Sequence, residues 1–202
     1  MKRIVPLLAM AGGLLTAALY AIPCAQAATT TYHATLSGPA ENPPNASPGT
    51  GLAVIIIDDV ANTLNLNIPF TDLLGTTTAS HIHCCTTTPL AGSAGVATQV
   101  PVFMDFPLGV TAGTYSHVFD LNDAASYNPA FITANGGTVG GALSAFLTGV
   151  GANEAYLNIH TTLYPAGEIR GFLVAAPVPE PAAWALLAAG LCGIGAWRRR
   201  RA

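Results

Sequence analysis

Leu52-Ala53-Val54-Ile55-Ile56-Ile57-Asp58-Asp59, followed by Leu64-Asn65-Leu66-Asn67-Ile68-Pro69-Phe70, decides the fold class. The first run is continuous and rich in β-branched residues. In the second, every other side chain is apolar, so one face meets a core and the other meets water. Asp58-Asp59 supplies a turn, and the pair reads as a hairpin of an antiparallel sheet. Upstream, Tyr32, Ala34 and Leu36 alternate with Thr31, His33 and Thr35 and predict another half-buried strand. The stretch 38–51 holds four prolines and three glycines and must be a loop.

Downstream, Thr77 to His83, Val96 to Met104, Thr114 to Leu121, Ala155 to His160 and Glu168 to Val174 read as further strands. One helix is expected where Val139, Leu143, Phe146 and Leu147 follow helical spacing behind Thr138, with Gly149 as its stop. Asp123 to Thr133 adds an irregular helical turn. Short strands separated by Pro/Gly turns predict an all-β antiparallel sandwich or barrel of about eight strands, with one or two short helices.

The ends are different. Lys2 and Arg3, an apolar run from Ile4 to Ile22 and then Ala25-Gln26-Ala27 form a signal peptide over 1–27, with signal peptidase cutting between Ala27 and Ala28. At the other end, Val178-Pro179-Glu180-Pro181 precedes an apolar stretch from Ala182 to Trp197 and four arginines. Sixteen helical residues reach about 24 Å, a short transmembrane helix against a ~30 Å hydrocarbon core, and the arginines would stay cytoplasmic. Pro179, Glu180 and Pro181 with the helix and Arg tail resemble the PEP-CTERM sorting signal, here 177–202. That resemblance implies an exosortase as processing enzyme, transient inner-membrane anchoring, and release to the cell surface or extracellular matrix. A plain membrane-anchored surface protein is the competing reading.

Between Ala28 and Val178 stand one cation, Arg170, and nine carboxylates, which leaves a net charge of −8. Nucleic acid is excluded as a partner, because phosphate binding needs clustered cations. The candidates for chemistry are histidines. His81 and His83 share one strand face, and His160 ends a later strand; three imidazoles suffice for zinc or copper with an open position. Without metal, the same residues would bond to backbone and Thr oxygens. Cys84 and Cys85 are the cysteines left between the two processing segments. A vicinal disulfide, intermolecular bridges, or Cys85 as a further soft ligand are the alternatives. Glu168 and Arg170, two apart, suggest a structural ion pair closing the sheet, and Glu41 an anchor for loop backbone donors.

Several ordered motifs resemble the CHRD domain: Tyr32-His33-Ala34-Thr35-Leu36-Ser37-Gly38, Glu41-Asn42-Pro43-Pro44, Gly49-Thr50-Gly51, His81-Ile82-His83, Tyr156-Leu157-Asn158-Ile159-His160-Thr161 and Pro165-Ala166-Gly167-Glu168-Ile169-Arg170-Gly171. The resemblance covers 31–174, within a domain bounded at 28–176. It implies a Greek-key-like β-structure and a binding or structural role in the envelope or exopolysaccharide matrix, with exopolysaccharide or surface proteins as partners. A more distant likeness to copper/zinc superoxide dismutase implies a copper-dependent redox enzyme as the alternative. This chain lacks that family's zinc-loop residues, since no His lies between His83 and His117. No Ser-His-Asp set, spaced carboxylate pair or phosphate-binding Gly loop accompanies the histidines.

Overall fold

A computed structural model describes residues 29–177. The signal-peptide and sorting-signal expectations, including Ala27, Ala28, Pro179, Glu180, Pro181 and the two hydrophobic helices, lie outside the described residues. Among the described residues, no helix is long and apolar enough to cross a membrane.

The strands are β1 (Thr29–Ser37), β2 (Thr50–Asp58), β3 (Thr63–Thr71), β4 (Thr77–His83), β5 (Gly113–Asp120), β6 (Tyr156–Thr161), β7 (Ile169–Phe172) and β8 (Val174–Ala175). Two short helices, α1 (Pro129–Ala134) and α2 (Val139–Gly151), link β5 to β6. All strands join one curled antiparallel sheet in the order β4-β6-β7-β1-β2-β3-β5, with β8 beside the start of β1. Three connections, β3 to β4, β4 to β5 and β5 to β6, cross between its two halves. No pairing joins the outer strands β4 and β5 among the described residues, so hydrogen bonding does not close a barrel.

The period-two reading locates the core. Ala34, Leu36, Ile55, Ile57, Leu64, Leu66 and Ile68 are buried, and Ile82, Leu157, Ile159 and Ile169 join them from the other half of the sheet. In α2, Ala142, Phe146 and Val150 form the buried stripe, and the Thr138 hydroxyl caps its first turn through Gly141 N–H. Gly149 does not stop this helix, which runs to Gly151.

Two expected strands differ. Val96 to Met104 is a covering loop that touches β4 through the His83–Val96 bridge and bonds such as Phe103 N–H to Ser80 O. Pro101 has no N–H to give a ladder there, which weakens pairing along this segment. The closing strand Glu168 to Val174 is split into β7 and β8, and Glu168 stands before it. Gly167, at φ +132°, turns the chain there.

Glu168 and Arg170 do not pair with each other: Arg170 lies beside Glu41, and Glu168 bonds elsewhere. Arg170 is the register partner of Asn158, whereas Glu168 bonds to Thr161, which has the core-facing parity of Ile159. The two side chains therefore leave on opposite sides of the sheet. Fully buried, Glu168 accepts from Ser47 Oγ (2.6 Å), Leu74 N–H (2.5 Å), Gly75 N–H (3.1 Å) and Thr161 Oγ1 (2.7 Å). One carboxylate thereby ties the 38–51 loop and the β3–β4 connection to β6. Burial pushes its pKa up, but the four bonds outweigh burial and hold it below the usual carboxylate value.

Glu168→Gln should cost about 3 kcal/mol in denaturant melts at pH 7, since an amide turns a donor toward donors. The depressed pKa means that this stabilisation is present above the unfolded value of about 4.3 and fades as pH falls through the lower folded one. The wild-type and variant midpoints should thus converge below pH 4. A constant gap down to the acid limit would contradict the ionised role.

Candidate metal centre

The polar site is built by strand register. His81 pairs with Asn158 and Asn158 with Arg170 across β4, β6 and β7; His83 pairs with Tyr156 and Tyr156 with Phe172. All six side chains share one face, because residues two apart on a strand point the same way. His160, two beyond Asn158, joins them. This is the face opposite the apolar core, and loops cover it, so His81, His83, Tyr156, Asn158 and Arg170 are buried.

Each imidazole has one nitrogen against a backbone carbonyl: His81 Nε2 to Pro101 O (2.7 Å), His83 Nδ1 to Ala94 O (2.9 Å) and His160 Nδ1 to Pro165 O (3.0 Å). A carbonyl only accepts, so each of these nitrogens carries the proton and the tautomer is set. The other nitrogens, His81 Nδ1, His83 Nε2 and His160 Nε2, are buried without a partner. The three residues bring ligand nitrogens within 4.8 Å of one another. Tetrahedral zinc at ~2.0 to 2.1 Å from each nitrogen would need them closer, roughly 3.3 Å apart.

Electrostatics favours the ligand form. Burial lowers the pKa of all three histidines, and His83 falls to about 4, with the neighbouring imidazoles and Arg170 adding to the effect there. The carbonyl bonds oppose the shift without cancelling it. At neutral pH the rings are neutral, as metal ligation requires.

Arg170 organises the surroundings. Its Nε donates to Ala40 O (2.5 Å) and Nη1 to Gly92 O (3.0 Å), and Nε lies 3.9 Å from Glu41 Oε2. Its guanidinium sits 4.7 Å over the Tyr156 ring, which also stacks on His83 at 4.8 Å. Arg170 thus joins the 38–51 loop to the loop whose Ala94 carbonyl orients His83. Burial pushes Glu41 up to about 7, against the lowering effects of Arg170 and the Asn42 N–H. The ion pair expected for Arg170 is therefore made with Glu41, from a loop distant in sequence, and Glu41 is more than the anchor for loop donors that its Pro-rich setting suggested.

Cys84 and Cys85 form a vicinal disulfide. Both sulfurs pack against Gly149 of α2, where a Cβ would fall within 2.4 Å of each. That contact accounts for the glycine. With its sulfur bonded to Cys84, Cys85 is not a ligand beside the histidines and needs no intermolecular bridge. His33 is exposed, and His117 lies between Tyr115 and Phe119 on β5; neither joins the cluster.

Sequence reasoning missed Asn158 and Glu41 as members of this buried layer. Asn158 had a signal, since it shares the parity of Tyr156 and His160 and stands between Leu157 and Ile159.

Comparison with protein families matches residues 32–173 to the CHRD domain and 177–201 to the PEP-CTERM protein-sorting motif. No curated protein and no solved structure matches the chain.

Arg170→Ala should lower the unfolding free energy by about 3 to 5 kcal/mol, because Glu41 and two loop carbonyls lose their partner inside the protein. Arg170→Lys should recover only part, as an ammonium cannot reproduce the guanidinium fork or its stack on Tyr156. Equal denaturant midpoints for all three proteins would show that these contacts carry no stability.

Proposed function

The chain belongs to the CHRD domain family, and from that membership and the geometry above we propose that it is a surface-sorted module holding one copper or zinc ion on His81, His83 and His160. Export, surface sorting and exosortase processing follow from the PEP-CTERM motif. The observation that carries the metal reading is the set of three buried, unpartnered ring nitrogens, each with its other nitrogen held by a backbone carbonyl. A purely structural role would leave three desolvated acceptors unpaired, at a cost that a metal ion removes.

The residues fit such an ion. Imidazole nitrogens suit zinc and copper, and three of them leave a position for a further ligand. When bound, the ion would supply Lewis acidity or, as copper, a redox couple. His81, His83 and His160 would hold it. The Pro101, Ala94 and Pro165 carbonyls would keep the rings oriented, and the covering loops would limit water. The role in the envelope is binding or structural, with transient membrane anchoring by the C-terminal segment before sorting. Exopolysaccharide or other surface proteins are the partners this reading proposes.

Elemental analysis of the exported protein should find about one equivalent of copper or zinc. His83→Ala and His160→Ala should each weaken binding about a hundredfold or more, beyond the 10- to 100-fold typical of outer-shell changes. Metal at background level, or equal affinity in wild type and both variants, would contradict the proposal.

A further inference from the structure

Among the described residues, five buried side-chain polar atoms have no hydrogen-bond partner: the three imidazole nitrogens, Asn158 Oδ1 and Glu41 Oε1. Metal ligation accounts for the nitrogens only. The two oxygens belong to the same layer. Asn158 lies between His81 and Arg170 in register and two residues from His160 on one face. Glu41 reaches that layer through Arg170. The two meet at Gly167, where a Cβ would be 2.5 Å from the Asn158 amide and 2.7 Å from Glu41 Oε1. The absence of a side chain there lets both approach the backbone.

A cleft open to solvent lies beside the same turn. This cleft of about 300 Å³ runs between the Glu41–Asn45 and Leu163–Gly167 loops, and Glu41, Pro165 and Gly167 line it. Pro165 is the residue whose carbonyl orients His160. The larger concavity, about 480 Å³ around Phe70 and Gly113, has no titratable lining and carries no comparable argument.

A buried acceptor without a donor is costly, and two of them beside a three-imidazole cluster define what should fill the remaining space. We propose that Asn158 and Glu41 accept hydrogen bonds from the small molecule that takes the metal's open position. The site then favours ligands bearing O–H or N–H hydrogens, such as water or a hydroperoxide, over hydrogen-free anions. This inference rests on the metal reading of the preceding subsection. Asn158 and Glu41 are positioning residues in it, since they hold the incoming ligand and do not bind the ion.

The test uses the exported protein loaded with copper(II), with azide as the hydrogen-free probe. Pulsed electron paramagnetic resonance in D₂O should detect exchangeable deuterons on a copper-bound water in the wild type. Asn158→Leu removes an unpartnered acceptor that does not bind the ion, so azide binding is compared in protein fully loaded with copper. It should tighten azide binding about tenfold, the order expected when bound water loses one hydrogen bond. Glu41→Gln keeps an oxygen but loses the charge and should tighten azide by a smaller factor, which preserves the test if the Leu variant misfolds. Azide affinities equal within twofold across the three proteins, or no exchangeable deuteron in the wild type, would overturn this inference while leaving the metal site standing. Absence of a histidine-bound copper signal in the wild type would overturn the metal reading itself.

Discussion

The pairing of β6 with β4 on one side and β7 on the other is the constraint on which the rest of the molecule depends. It places Leu157 and Ile159 in the core with Ile82 and Ile169. By the same two-residue period it places Tyr156, Asn158 and His160 on the opposite face, with His81, His83 and Arg170. A shift of one residue would exchange the two sets, burying imidazoles in the core and exposing its isoleucines. The apolar face therefore fixes the register, and the register assembles the polar face.

That polar face is costly, and the loops offset most of its cost. Carbonyls of Ala94, Pro101 and Pro165 each accept from one histidine, while Ala40 and Gly92 accept from Arg170. On the other side of the sheet, Glu168 draws Ser47, Leu74, Gly75 and Thr161 onto one carboxylate. The two charged centres divide the work: Glu168 locks loop bases against the core, and Arg170 holds the loops that cover the histidines. Among the described residues, the buried polar atoms that remain unsatisfied are confined to one layer, the pattern that the proposed ligand site would leave.

Period two made much of this legible in the sequence. It located β1 and β3 and the shared face of His81 and His83, while a continuous β-branched run marked β2 and the later motif brought His160 to the pair. It failed where chain direction changes without a compositional mark. Val96, Val100 and Val102 looked strand-like, yet their segment lies across β4 as a cover and bonds to it at only a few points. Glu168 and Arg170 looked like one-face neighbours, but Glu168 stands before β7, and Ser47, Leu74, Gly75 and Thr161 draw its carboxylate to the other side of the sheet. The Glu41–Arg170 pair joins residues from opposite ends of the domain, and no local spacing announces it. Gly149 resembled a helix stop, whereas its small size answers to the disulfide of Cys84 and Cys85. In each case the deciding contact is long-range, while the sequence signal is local.

Three tautomer-fixed imidazoles holding one metal ion on the outer face of β4 and β6, as proposed, would leave a spectroscopic signature. X-ray absorption at the metal edge of the exported protein measures this most directly. Expected is the outer-shell scattering of three imidazoles, with nitrogen distances of about 2.0 Å and one further light-atom ligand. A sulfur shell from Cys84 or Cys85, or a metal with no imidazole scattering, would contradict it.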